Sequence, residues 1–420
     1  MSVYARILTL ALLGVPTRAA GAPQDQGQKA RTIEALEKRI EELERKHAEE
    51  LEDVRFELET LQKELADAQA AARARTQSPS VFNPGITVFG NFLGRWDDQP
   101  VFLEDDPAEE RIDDRFNLRE VELDFRAAID PWADGVLIVS HESEAPGQFE
   151  ATVEEGYVVL KKLPLVDRAP WGLKLKVGRF RPEFGRFNYI HMHDLPQPSY
   201  PRALRNFLGD EGLIQDGVSG QFFLPLESEH QSLEATVQLL DGGEAPFAGN
   251  LQGNDISTLG HLKWFQDLND SSNLELGASA YEGDSNHELF GLDATYKWKP
   301  LARGEWHSFL VSGELFASRV DDPALGDDPL GYYVFSQYQL DRNNYVGVRF
   351  DHAEELADAS QTSDTLGAYW TYYTTEFLRF RLGLEHTQSD LSELDGLNTA
   401  LLELNFVFGS HPVEPYWVNR

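Results

Sequence analysis

The sequence predicts an all-β transmembrane barrel of about 16 antiparallel strands, preceded by an α-helical coiled coil. Three observations support this fold class. Between residues 83 and 420, segments of about ten residues alternate apolar and polar side chains, as membrane-crossing strands do. The connections between these segments alternate between short and long. Residues 31–70 instead repeat apolar side chains at the heptad spacing of a coiled coil.

Composition excludes several classes of protein. The 420 residues include no Cys, 37 Lys and Arg, and 71 Asp and Glu, which gives a formal charge of −34. The lack of Cys excludes disulfides and thiolate-bound zinc, and the acidic excess argues against a nucleic-acid partner. Hydrophobic residues make up 41% of the chain, which is low for a globular protein. A barrel with one polar strand face accounts for this shortage.

Residues 1–20 have the layout of a secretory signal peptide. Arg6 precedes an apolar run over 7–15, and small residues follow at 19–22. The run is too short to span a bilayer, and no other window reaches about 18 continuous apolar residues. We therefore expect an exported protein without a helical membrane span. The alternative is a disordered or buried N-terminus.

Residues 31–70 form the predicted coiled coil. They contain no Gly or Pro, and their apolar residues follow two heptad series joined by the four-and-four spacing of Leu43, His47 and Leu51. Such a stutter locally unwinds a left-handed supercoil. About five heptads bury little surface alone, so we expect self-association, the alternative being one amphipathic helix folded onto the barrel. Residues 71–82 are then a linker.

Residues 83–420 carry the barrel pattern. In the stretch 120–129, apolar side chains occupy one strand face and charged side chains the other, and similar runs recur up to 397–409. The odd-numbered connections are mostly long and acidic, as over 97–115 and 182–216, whereas the even-numbered ones are mostly short. Outer-membrane barrels show this alternation of long external loops and short periplasmic turns. A large soluble jelly roll or propeller is the alternative.

The polar strand faces are expected to line the lumen. This face mixes both signs of charge, and its candidate residues are Glu120, Glu122, Asp124, Arg126, Lys174, Lys176, Arg349, Arg379 and Arg381.

The third external connection, 182–216, is too long for a passive link in a compact fold. Folded into the barrel, it would narrow the pore and place charges where they act most strongly on a solute. The candidate constriction residues are Arg186, His191, His193, Asp194, Arg202, Arg205, Asp210 and Glu211. The alternative is an external loop that caps the mouth or makes subunit contacts.

His191, His193 and Asp194 could also be metal ligands or part of a hydrolase site. The sequence supplies no fourth ligand and no local catalytic motif beside them. We therefore predict no metal site, no cofactor and no catalytic residue, and expect these side chains to hold the loop by hydrogen bonds.

Several motifs resemble porin-type outer-membrane proteins, loosely those of the phosphate-selective porin O and P family. They are VEEGY over 153–157, KVGRFRPEFGRFN over 176–188, HMHDLP over 191–196 and FLGDEGL over 207–213. The resemblance spans roughly residues 83–420 and implies a sixteen-stranded trimeric channel with inward-folded loops. Phosphate selectivity does not carry over readily, because those porins use an arginine ladder and a lysine cluster whereas this predicted lumen is mixed. The coiled coil also departs from that family and resembles the stalk of tethered barrels.

The predicted function is passive diffusion of ions and small hydrophilic solutes through the barrel. We expect location in the cell outer membrane with the coiled coil in the periplasm, contact with outer-membrane lipid, a homotrimer, and mild cation preference. The alternative is a structural tether that links the outer membrane to the cell wall through the coiled coil.

Overall fold

The computed structural model describes most of the barrel. Most of the N-terminal region lies outside the described residues. These are 84–102, 111–112, 115–143, 150–163, 170–242, 245–248, 256–283, 287–300, 307–320, 328–391, 394–410 and 415–418, with Lys38, Arg39 and Arg45. Those last three are helical and exposed. The signal peptide, the linker and the rest of the coiled coil lie outside the described residues.

Sixteen antiparallel strands close into a barrel in which the first barrel strand pairs with both the second and the last. The barrel strands are β1 (Gly85–Asp97), β4 (Arg115–Asp130), β5 (Ala133–Glu142), β6 (Glu150–Leu160), β7 (Lys174–Phe180), β8 (Gln215–Leu224), β9 (Gln231–Leu240), β10 (Ser257–Asn269), β11 (Ser272–Glu282), β12 (His287–Trp298), β13 (Phe309–Val320), β14 (Leu330–Gln339), β15 (Asn344–Glu354), β16 (Thr362–Thr375), β17 (Leu378–Ser389) and β18 (Leu397–Gly409). A separate hairpin joins β2 (Val101–Phe102) to β3 (Arg111–Ile112). Each barrel strand pairs with its sequence neighbour, and the predicted fold class is confirmed for this part of the chain.

The two faces of the strands separate as the alternation predicts. On β17, Leu382 and Leu384 are 47% and 65% exposed on the outer face, whereas Arg381 between them is 1% exposed on the inner face. An outer apolar face and an inner polar face characterise barrels that sit in lipid. Among the described helices, none has the length and apolarity to cross a membrane.

One aromatic residue near the end of a strand lies inside the barrel rather than at a membrane interface. Tyr373 is buried, packs edge-on against Tyr345 and lies beneath the Arg379 guanidinium. Its position follows from strand parity, because it shares the inner face of β16 with Thr371 and Tyr369, which are also buried. Strand parity therefore outweighs the general preference of tyrosine for interfaces.

Two β-bulges place adjacent residues on the inner face. Arg119 has no partner in the β1–β4 register, and Glu154 has none in the β5–β6 register. A bulge adds one residue to one strand and so breaks its alternation. As a result Glu154 and Glu155 are both buried.

The barrel interior holds an apolar core. The connection 181–214, between β7 and β8, contains a 3-10 turn (Met192–Asp194) and the helix α1 (Arg202–Leu208). Short 3-10 turns also occur at Pro170–Gly172 and Pro246–Ala248. Phe184 and Phe207 of the connection stack on Phe316 of β13. Trp417, near the C-terminus, joins the same buried cluster. Part of the expected water-filled lumen is therefore packed with side chains.

Candidate functional site

The segment 181–214 is held against the barrel wall by arginines that donate to its backbone. These guanidiniums come from β4, β15 and β17, and their carbonyl acceptors lie between residues 193 and 199. The hydrogen bonds are Arg119 Nη1 to Pro198 O at 2.6 Å, Arg349 Nη1 to Ser199 O at 2.9 Å, Arg379 Nη2 to His193 O at 2.8 Å and Arg381 Nη2 to Leu195 O at 2.9 Å. Carbonyls held by charged donors form strong hydrogen bonds. The segment is therefore fixed across the interior.

Glu403 balances the charge of these arginines. Its two carboxylate oxygens accept from Arg381 Nη1 at 2.6 Å and Arg379 Nη2 at 3.0 Å, and Asn91 Nδ2 donates to it at 2.7 Å. The side chains of Glu403 and Arg381 are fully buried. Such a pair is stable only when all of its charged groups have partners.

Glu314 anchors the other end of the segment. Its Oε1 accepts from the backbone N–H groups of Arg186 and Phe187 at 2.9 and 2.7 Å and from the Tyr333 hydroxyl at 2.5 Å. Gly185, just before these donors, has φ of 59°, and a Cβ there would lie 2.1 Å from Glu314 Oε2. The turn therefore requires glycine, both for its left-handed backbone and for the close carboxylate.

A cluster of acidic and histidine side chains lies between this segment and strands β4 and β6. It comprises Glu120, Glu122, Glu154, Glu155, His191 and His193, and it is called here the carboxylate–histidine cluster. Within the cluster, His191 Nδ1 lies 3.0 Å from Glu122 Oε2 and 3.1 Å from Glu154 Oε2. His193 Nδ1 lies 3.4 Å from the same Glu122 oxygen and 3.5 Å from Glu120 Oε1.

The carboxylates of the cluster favour the protonated, positively charged form of both histidines. Burial alone would lower the pKa of His193, but the carboxylates of Glu122, Asp194 and Glu120 outweigh it and raise that pKa to about 9. Burial likewise opposes the charge of His191, yet Glu122 and its neighbours hold that pKa well above its usual value. Arg181 adds a cation at 2.8 Å from Glu154 Oε2. Protons on both imidazoles thus offset part of the negative charge.

A cavity of about 360 Å³ opens beside the cluster, and it is called here the loop-side cavity. Its charged lining mixes both signs, with Arg95, Arg119, Arg181, Arg202, Arg205 and Arg349 facing Glu120, Glu154, Asp210, Glu211, Asp351 and Glu385. Burial and the nearby Glu120 carboxylate raise the pKa of Glu211 to about 7. The cavity can thus contact solutes of either charge.

Most of the predicted constriction residues lie either in the carboxylate–histidine cluster or at the loop-side cavity. The structure brings His191 and His193 to Glu120 and Glu122, and it brings Arg202, Arg205, Asp210 and Glu211 to the loop-side cavity. Arg186 lies elsewhere, paired with Glu275 and above the Tyr416 ring. Asp194 is partly exposed beside His193.

The predicted lumen residues are on the inner face, with differences in exposure. Asp124, Arg349, Arg379 and Arg381 are buried with the two glutamates of β4, whereas Arg126 pairs with Asp124 and is largely exposed. Lys174 is exposed, and Lys176 lies over the Tyr157 and Phe180 rings.

Sequence reasoning did not single out Glu154, Glu155, Arg119, Glu314 or Glu403 as site residues. Glu314 and Glu403 follow from strand alternation, which places both on the inner face with their buried neighbours. The other three depend on the two bulges, for which the alternating pattern gives no signal.

Known proteins share this fold at low sequence identity. No protein-family model matches the chain. It is 26% identical over 341 residues to an uncharacterised protein of Aquifex aeolicus (strain VF5), which covers 72% of this chain and 70% of that protein. OprB of Pseudomonas putida has a similar structure with a TM-score of 0.51, 11% identity and coverage of 77% of this chain and 94% of OprB. The outer membrane channel DcaP of Acinetobacter baumannii has a TM-score of 0.50 at 9% identity, covering 78% of this chain and 97% of DcaP. These likenesses show the fold.

Proposed function

We propose that this chain is an outer-membrane channel for passive diffusion of ions and small hydrophilic solutes. The observation that carries the proposal is the closed sixteen-stranded barrel with an apolar outer face and charged inner face. An outer apolar band suits lipid, and a charged interior suits water and polar solutes. The name of the DcaP neighbour, an outer membrane channel, is consistent with this role.

In this proposal, segment 181–214 is the constriction. Its buried contacts with β4, β13, β15 and β17 fix it inside the barrel, which favours a rigid filter over a mobile external cap. Arg202, Arg205 and Asp210 then meet a solute in the loop-side cavity. Fixed charges in a narrow passage control selectivity strongly because little water screens them.

In this proposal, the N-terminal region lies in the periplasm. The signal-like residues 1–20 would direct export, and the heptads of 31–70 would help to assemble three chains into a trimer. The same heptads favour a second function, a tether between outer membrane and cell wall. Deleting 31–70 in cells distinguishes the two, because a tether predicts loss of envelope attachment with unchanged permeability.

Single-channel recording tests the channel directly. The full-length protein, purified from outer membranes and checked for a folded barrel by heat-modifiable migration, is added to a planar lipid bilayer. We expect stepwise conductance and, from the acidic external connections, mild cation preference in a salt gradient. Folded protein that gives no conductance steps would overturn the channel, and anion preference would overturn the selectivity.

A further inference from the structure

The carboxylate–histidine cluster has the composition and geometry of a metal site. We propose that it binds a divalent transition-metal ion through Glu120, Glu122 and His193, beside an overlapping triad that contains Glu154 and His191. Two triads share Glu122: one adds Glu120 and His193, and the other adds Glu154 and His191. Within each triad the candidate ligand atoms all lie within 4.8 Å of one another.

The distances between donor atoms match the edges of a coordination polyhedron. Ligand atoms about 2.1 Å from a shared metal ion lie roughly 3.0–3.4 Å apart in octahedral or tetrahedral geometry. The four contacts of the two Nδ1 atoms with Glu122, Glu154 and Glu120 range from 3.0 to 3.5 Å. A small cation between these atoms therefore requires little movement of the side chains.

Several of these donor atoms lack a hydrogen-bond partner. Within the described part of the chain, Glu120 Oε2, Glu122 Oε2 and His191 Nδ1 are buried without one. Glu122 is only 1% exposed, so water cannot readily reach its Oε2. A buried polar atom without a hydrogen bond destabilises the folded protein, and more so when it is charged. Coordination to a cation would satisfy the oxygens of Glu120 and Glu122.

Each histidine is oriented as a metal-bound imidazole usually is. Nδ1 faces the shared carboxylates, while Nε2 faces a further acid: Glu155 at 3.5 Å from His191, and Asp194 at 3.8 Å from His193. A carboxylate behind the second ring nitrogen fixes the tautomer and strengthens the ligand. Phe89 stacks on the His193 ring at 4.0 Å between centroids and limits its rotation.

The donor set selects the class of metal. An imidazole nitrogen with carboxylate oxygens suits Zn²⁺, Mn²⁺, Fe²⁺, Co²⁺ or Ni²⁺, whereas Mg²⁺ and Ca²⁺ prefer oxygen ligands alone. The local charge also favours a cation, because the four carboxylates of Glu120, Glu122, Glu154 and Glu155 outnumber the cationic groups in contact with them, which are Arg181 and the two imidazoles.

Metal binding by the full-length protein tests this proposal independently of conductance. Detergent-solubilised protein is stripped with EDTA, dialysed and titrated with Zn²⁺, and bound zinc is measured by mass spectrometry after gel filtration. We expect at least one ion per chain, and at least about tenfold weaker binding in H193Q and E122Q. H352Q is the matched control, because His352 Nδ1 pairs with Asp364 at 2.8 Å outside the cluster, and it should bind zinc as wild type does.

Cobalt provides a second readout that depends less on the variants. Co²⁺ added to stripped wild-type protein should produce visible absorption bands of a nitrogen- and oxygen-ligated site, and Zn²⁺ should abolish them. This titration decides the proposal even if E122Q fails to form a heat-modifiable barrel. Binding of less than about a tenth of an ion per chain in wild type would overturn it, as would equal loss in H193Q and H352Q.

Discussion

Glu403 provides the sharpest test of how the interior is held together. The E403Q variant keeps the shape of the side chain and removes its charge. In wild type this carboxylate accepts from Arg379, Arg381 and Asn91 at 2.6–3.0 Å and is fully buried. The glutamine amide would offer one oxygen and direct an NH₂ donor toward a guanidinium that is itself a donor.

The expected loss of stability follows from this burial. Removing one partner of a buried ion pair costs roughly 3–5 kcal/mol, because the remaining charge stays desolvated. The glutamine oxygen still accepts one hydrogen bond, so we expect a decrease of about 3 kcal/mol in the free energy of unfolding. Arg379 and Arg381 also hold His193 O and Leu195 O, so segment 181–214 should loosen as well.

The measurement is urea unfolding of the reconstituted barrel, followed by tryptophan fluorescence. E288Q is the control, because Glu288 forms an exposed pair with Arg319 at 3.9 Å, and such pairs contribute at most about 1 kcal/mol. E403Q should therefore lower the free energy of unfolding well beyond E288Q. Equal effects of the two substitutions would refute the role of Glu403 as the charge that balances these arginines.

Three further predictions concern the segment and the C-terminal residues that pack inside the barrel. G185A should lower the free energy of unfolding by at least about 1 kcal/mol in the same urea assay, because the φ of Gly185 is 59° and the new Cβ would overlap a carboxylate. G260A is the control and should have little effect, because a Cβ at Gly260 would have no atom within 4 Å. The R202Q/R205Q double variant should shift the reversal potential in a salt gradient toward cation preference; an unchanged potential would place the ion path elsewhere. W417A should cost about 3–4 kcal/mol in urea unfolding, because this indole is 3% exposed in the interior core, and a cost below about 1 kcal/mol would show that the tail does not pack there.

The barrel could be predicted from sequence because strand alternation is local. Each strand needs about ten residues to cross a bilayer, and the apolar and polar faces repeat with period two within that length. The alternating run over 397–409 coincides with β18, and the run over 120–129 lies within β4.

The site was less predictable because its partners are distant in sequence. His193 meets Glu120 from 73 residues away, and that contact depends on how the segment folds inside the closed barrel. The two histidines and the carboxylates of Glu120 and Glu122 were therefore visible as separate candidates, but their pairing was not. The bulge that turns both Glu154 and Glu155 inward was also not predictable from the sequence pattern, because strict alternation would place only one of them inside.

The interior is chemically divided, and this division bears on selectivity. Strands β9 to β14 supply most of the strand residues in the apolar core around Phe207, Phe316 and Tyr333, and buried polar groups such as Glu314 and Asp293 share their inner face. Charged side chains gather on the opposite part of the wall, on β4, β6, β15, β17 and β18, where arginines alternate with carboxylates. In the proposed channel, we expect water and solutes to follow this charged part, because the apolar core occupies much of the other. In this proposal the charges along that route, rather than the −34 of the whole chain, determine which solutes pass.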